Sequence, residues 1–213
     1  NIFAIKEFDW QPGGFNSEYG DAMSAVSNYH TPTGGDKFSY KYKYSTSLMG
    51  AMMGSTYDSL RGYNDYNLGF GGPVPYVNNL KYWVSGQYTN YDSWRVYEFD
   101  DLYYKEDDPD PENTNRDKMV QPWDDTPGFR AFGFDKTWDV FGKLAYRLNN
   151  SMRFDLSYWV VSAHRKGFNS RYLYWDEGQN ELFRDTDRIA FTFNHSLSPK
   201  TFYTLRYARF QQD

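Results

Sequence analysis

The densest group of side chains able to do chemistry is the acidic stretch Lys105–Glu112, KEDDPDPE. From Glu98 to Asp125, eleven acids stand against three bases. Asp107, Asp108, Asp110 and Glu112 could supply oxygen ligands to Ca²⁺, a hard cation that takes about six to eight of them. Their spacing does not fit an EF-hand loop, and Pro109 and Pro111 forbid regular structure through the run. A run of like charge also repels itself into a solvated, extended loop without binding anything. The three histidines, His30, His164 and His195, fall in unrelated segments, where ordinary surface roles suffice. There is no cysteine, hence no thiolate nucleophile, thiolate metal site or disulfide framework. Neither H-E-x-x-H, G-x-S-x-G nor a P-loop occurs. The expectation is a protein that is not an enzyme and needs no cofactor. A net charge of −5 and the lack of a basic stripe argue against nucleic acid as a partner.

Aromatics are the other chemistry-bearing group, at 21% of residues. Tyr and Trp serve where an apolar body must sit beside water, as at a membrane interface or a sugar-binding surface. Trp94, Tyr103, Tyr104 and Trp123 fall in or beside the acidic loop and are candidates to stack on a ligand. Tyr172, Tyr174 and Trp175 extend a strand end and fit an interfacial belt instead.

These loops need a scaffold, and Lys136–Val161 shows its nature. Trp138, Val140, Leu144, Tyr146 and Leu148 alternate with Asp139, Lys143 and Arg147. After a turn at Asn149–Asn150, Met152, Phe154, Leu156, Tyr158 and Val160 alternate with Arg153, Asp155 and Ser157. Successive strand residues point to opposite faces, so this is a β-hairpin with one apolar and one charged face. Its runs are about twice the usual globular strand length. The same alternation marks Phe38–Tyr44, opposite Lys41 and Lys43; Tyr66–Phe70; Leu80–Tyr88, opposite Lys81 and interrupted by Trp83; Ile189–Phe193; and Thr201–Phe210. The run Gly71–Pro75 is expected to stop the second of these, because proline cannot donate to a ladder.

About seven antiparallel strands follow from this pattern. Their connections run long, short, long, short, long, short: Leu48–Gly62, Asn78–Asn79, Asn90–Asp135, Asn149–Asn150, His164–Asp185 and Ser198–Lys200. All long loops therefore fall at one end and all tight turns at the other. With long strands apolar on one face, that asymmetry is the pattern of an outer-membrane β-barrel. Mean hydropathy is −0.85, which such a barrel tolerates because only alternate strand residues meet lipid. A soluble aromatic-rich β-sandwich that binds glycans is the alternative. Residues 1–35 lack the long alternation and form a separate unit, with short strands expected at Ile2–Trp10 and Val26–Thr31.

Three stretches carry a resemblance to a known family. Gly13–Gly35, GGFNSEYGDAMSAVSNYHTPTGG, resembles the end of the plug domain in TonB-dependent outer-membrane receptors, matching at Gly13, Gly14, Glu18, Tyr19, Gly20, Ala22, Ser24, Val26 and Asn28. Ala25 stands where the family usually has Gly, and His30-Thr31-Pro32 replaces a more usual Val-Thr-Lys. Asn67–Tyr88 and His195–Phe210 resemble strand–turn–strand units of the Oar-like receptors of Bacteroidetes-type bacteria, which often carry a carboxypeptidase-regulatory-like domain upstream.

The resemblance implies residues 1–35 as the C-terminal part of a plug and 36–213 as the N-terminal portion of a barrel of about 22 strands. An open edge is not tolerated in hydrocarbon, so seven strands are expected to be part of a longer barrel. Implied partners are outer-membrane lipid and lipopolysaccharide, TonB through an upstream segment, and a surface lipoprotein or other subunits of an envelope complex. The implied activity is ligand capture and import with TonB-supplied energy, or a non-transporting scaffold role in a surface or secretion complex. Gly13, Gly14, Glu18, Tyr19 and Gly20 would be a plug element near the barrel wall. Trp138, Val140, Leu144, Phe154, Leu156 and Tyr158 would face lipid. Asp139, Lys143, Arg147, Arg153 and Asp155 would face the lumen, and Asn149–Asn150 would turn in the periplasm.

Overall fold

The computed structural model describes residues 1–13, 25–98, 126, 128–173 and 178–213. The chain is all-β and antiparallel. One seven-stranded sheet dominates, built from β3 (Ser39–Thr46), β4 (Asn64–Pro73), β5 (Leu80–Tyr91), β8 (Phe134–Arg147), β9 (Met152–Lys166), β10 (Leu182–Ser198) and β11 (Thr201–Gln212). They lie in the order β11-β10-β9-β8-β5-β4-β3. Two hairpins stand apart: β1 (Glu7–Gln11) with β2 (Val26–His30), and β6 (Arg95–Glu98) with β7 (Phe129–Phe132). No helix among the described residues is long and apolar enough to cross a membrane, which says nothing about strands.

The Lys136–Val161 hairpin forms as its alternation demands. β8 and β9 pair from Phe134↔Lys166 to Arg147↔Arg153, with Leu144 opposite Leu156. Asn149 closes the turn, its Oδ1 accepting from the amides of Ser151 and Met152 at 2.8 Å each. That local bond is why Asn is favoured in turns.

Several expected boundaries move. The first strand is Glu7–Gln11, not Ile2–Trp10, because residues 1–4 fold onto the sheet and Ala4 is buried there. β4 is not stopped at Gly71 but pairs as far as Pro73↔Lys81. Proline is tolerated at that terminal position, where a missing donor costs little. The expected loop at Leu48–Gly62 contains two short helices, α1 (Leu48–Met52) and α2 (Thr56–Arg61). Ser55 caps α2 by accepting from the Asp58 amide, and Gly62 ends it at φ 53°. The expected loops Asn90–Asp135 and His164–Asp185 begin later and end sooner, since β9 runs on to Lys166 and β10 starts at Leu182.

The two faces differ sharply. One carries Tyr40, Tyr42, Tyr66, Leu68, Val84, Trp138, Val140, Leu144, Leu156, Tyr158, Phe191, Leu205 and Tyr207, as the register places them. Among the described residues nothing covers it: Leu144 is 44% exposed and Leu156 41%. The other face carries Asp65, Asn67, Ser85, Gln87, Asp139, Lys143 and Asp155, and here the N-terminal unit packs.

The core lies on this polar face. Trp83, Phe141 and Ala4 are buried together, with Phe3 and Trp159 against them. The Trp83 indole donates to the Phe3 carbonyl at 2.9 Å, and the rings of Phe141 and Trp159 meet edge-on at 5.4 Å. Trp159 and Asn1 both donate to Asp139 Oδ1, at 2.8 and 2.9 Å. Gly69 makes room for this: a Cβ there would stand 2.9 Å from the Trp83 ring and 3.0 Å from Phe3. Trp83, which interrupts the polar alternation of β5, is thus the anchor of the N-terminal segment. Trp83→Ala is expected to lower stability by about 3–5 kcal/mol, and Gly69→Val by about 1–3 kcal/mol through overpacking. Denaturant titration of each variant measures both.

Candidate functional site

The described parts of the long connections 47–63, 92–133 and 167–181 all lie at one end of the sheet, and an aromatic platform is built there. Tyr63 and Tyr91 stack at 4.5 Å, and Trp94 meets Tyr91 edge-on at 5.2 Å. The Arg61 guanidinium lies over both tyrosine rings, 5.7 Å and 5.4 Å from their centroids. Beside them Phe132, Phe168 and Tyr97 pack at centroid distances of 5.0–5.9 Å, with Arg130 over Phe132. Phe132 is 1% exposed, so it pins the base of the β6–β7 hairpin. The Trp94 amide donates to the Phe132 carbonyl at 2.9 Å, joining the two groups.

Of the sequence-derived ligand contacts, Trp94 is on this platform and nearly half exposed. Tyr103, Tyr104 and Trp123, and the acidic candidates Asp107, Asp108, Asp110 and Glu112, lie outside the described residues. So do Gly14, Glu18, Tyr19 and Gly20 of the plug-like motif, and Tyr174 and Trp175; Gly13 is described, at φ 143°. Arg61, Tyr63, Tyr91 and Phe132 were not singled out in the sequence. Tyr91 and Phe132 flank a gap of some forty residues in the chain, so no local spacing joins them.

Chemically the platform offers π-faces and guanidinium groups, which bind by stacking and charge. Among the described residues no three His, Cys, Asp or Glu side chains converge to hold a metal ion. His164 instead meets Glu181 at 2.7 Å, and His195 meets the Tyr203 hydroxyl at 3.0 Å. The buried acid Asp65 is saturated, accepting from Asn67, Gln87 and Thr89 at 2.6–2.7 Å. It ties β4 to β5.

A row of rings lies just beneath the platform on the apolar face. Tyr44, Tyr66, Tyr88 and Trp138 are cross-strand neighbours, with centroids 4.6, 6.4 and 4.3 Å apart. Toward the tight turns a second row contains Tyr146, Phe154 and Phe193, at 6.5 and 4.6 Å. Compared with family models, with curated proteins and with solved structures, the chain matches none.

Phe132→Ala is expected to weaken the platform's base by about 3–5 kcal/mol. Hydrogen exchange should then speed up at the Tyr97 and Arg130 amides while those of β8 and β9 stay protected.

Proposed function

We propose that this chain is the plug end and first barrel strands of an outer-membrane TonB-dependent receptor of the Oar-like group. One observation carries the reading: residues 1–4, Thr31 and Gly34 pack on the polar face of the sheet, and among the described residues nothing packs on the apolar face. Besides the core contacts, Lys143 Nζ donates to Thr31 at 3.0 Å. Gly34 lies so close to the Tyr82 carbonyl and the Gly72 backbone that a Cβ would not fit. In water the apolar face should be the one covered. A dozen large side chains left half-exposed forgo on the order of 10 kcal/mol of burial, comparable to the whole stability of a domain. Lipid removes that cost.

The edge of the apolar band supports the same reading. Its limit toward the loops is Tyr44, Tyr66, Tyr88 and Trp138 on β3, β4, β5 and β8, one hydrogen-bonded row. On β9, β10 and β11 that row continues into Ser162, Asp185 and Asp213, and the band begins at Val160, Ile189 and Tyr207 instead. The limit is thus level across the first three strand junctions and slides two residues at each of the last three. At about 3.3 Å per residue and 4.8 Å per strand, the mean of one residue per strand is a mean tilt of about 35°, within the range of membrane barrels. The two aromatic rows then bound the apolar band as interfacial girdles.

In this reading the platform at the long-loop end is extracellular and captures the ligand, the tight turns are periplasmic, and further strands close the sheet. The soluble-sandwich alternative lacks a second sheet over the apolar face among the described residues. A non-transporting scaffold would share every one of these features and differ only in TonB coupling.

The chain has no native cysteine, so single spin labels are direct probes. In the bilayer-reconstituted protein, a label at Leu156→Cys should be relaxed by oxygen and shielded from a water-soluble nickel chelate. One at Arg188→Cys should show the reverse. A Leu156 label open to the chelate would sink the membrane assignment. Failure of the whole polypeptide to bind the periplasmic domain of TonB would leave the barrel but favour the scaffold.

A further inference from the structure

At the opposite end of the polar face from the aromatic platform, a cavity of about 210 Å³ opens among Thr33, Asp36, Asn79, Lys81, Arg147 and Arg153. Three cations line it against one carboxylate. Two of them are already engaged: Lys81 Nζ meets Asp36 Oδ1 at 2.6 Å, and Arg153 forks onto Asp155 with two bonds of 2.9 Å. The Arg147 side chain has no hydrogen-bond or ion-pair partner among the described residues. It also stands directly opposite Arg153 in the β8–β9 register.

Like charges directly opposed across an antiparallel pair destabilise it. Both residues fall on the polar face beside the Asn149–Asn150 turn. An anion between two guanidinium groups converts that repulsion into a clamp, since arginine grips carboxylate and phosphate with two parallel bonds. The cavity is smaller than the roughly 300–1,000 Å³ of whole-ligand pockets. It therefore suits one charged group rather than a molecule.

We propose that this cavity binds a single oxyanion group, phosphate or carboxylate, with Arg147 as its principal ligand and Lys81 and Arg153 flanking it. Asp36 competes for Lys81, and the hydrogen bond and charge of Lys81 hold the Asp36 carboxyl below the usual carboxylate range. The site lies at the tight-turn end, away from the platform. It does not depend on the membrane reading, because it is built on the polar face alone.

Calorimetric titration of the purified protein with inorganic phosphate, and separately with acetate, tests it. Binding should weaken by about tenfold in Arg147→Gln and less in Arg147→Lys, which keeps the charge but loses the fork. Arg188→Gln removes the same charge from β10 of the same sheet face and should leave binding unchanged. Preference for phosphate or for acetate, with the same Arg147 dependence, identifies the group that the site takes. No binding to the native protein, native-like binding by Arg147→Gln, or an equal loss in Arg188→Gln would each overturn the proposal. Unchanged tryptophan fluorescence verifies that the variants are folded.

Discussion

Everything in this molecule hangs on which face of a long antiparallel sheet is covered. Hydrogen bonding alone is indifferent to the choice, because the ladder from β3 to β11 is satisfied either way. The choice is made by side chains. On the polar face, acids, amides and hydroxyls find partners in one another and in the N-terminal segment, as Asp65 and Asp139 show. On the other face rings and branched carbons dominate, and among the described residues nothing packs against them. A solvent that suits the first face cannot suit the second. The sheet gains most where its two faces meet different surroundings.

The core reflects this division. It is small, and it is placed where the polar face is interrupted by Trp83, Phe141 and Trp159. Glycine at position 69 lets a bulky ring lie flat on the neighbouring strand. The indole nitrogens of Trp83 and Trp159 are each given an acceptor, so the rings are fixed in orientation as well as buried. Polar bonds surround an apolar centre. That is a joint which holds a segment in place over a surface that is otherwise wet.

Much of the sheet is legible in the sequence. Alternation alone yields the seven strands, their order of pairing and the apolar face of the Lys136–Val161 hairpin, because a period of two is a local property. Depth is not local. Trp83 reads as a blemish in the polar set of β5 until Phe3, eighty positions away in the chain, is seen to accept from its indole. Phe141 likewise interrupts the charged set of β8 and proves to be among the most buried residues. Strand ends were drawn short for a related reason: residues such as Pro73 and Lys166 lack strand propensity, and the paired neighbour decides. The platform was legible only at Trp94. Arg61, Tyr63, Tyr91 and Phe132 converge through two helices and a hairpin whose short sequences carry little periodicity. The like-charged pair Arg147–Arg153 is visible in the sequence as two arginines of the charged face, but their direct opposition is a matter of register.

In the proposed barrel, the mean slide of about one residue per strand reaches beyond the seven strands themselves. A barrel's girth is set by strand number and tilt together. At about 35° each strand occupies a little under 6 Å of circumference, so about 22 strands enclose a bore about 40 Å across, backbone to backbone. Seven strands then trace about a third of that circle. In such a barrel the N-terminal unit would touch one side of a wide shaft and leave most of the cross-section to whatever else fills it.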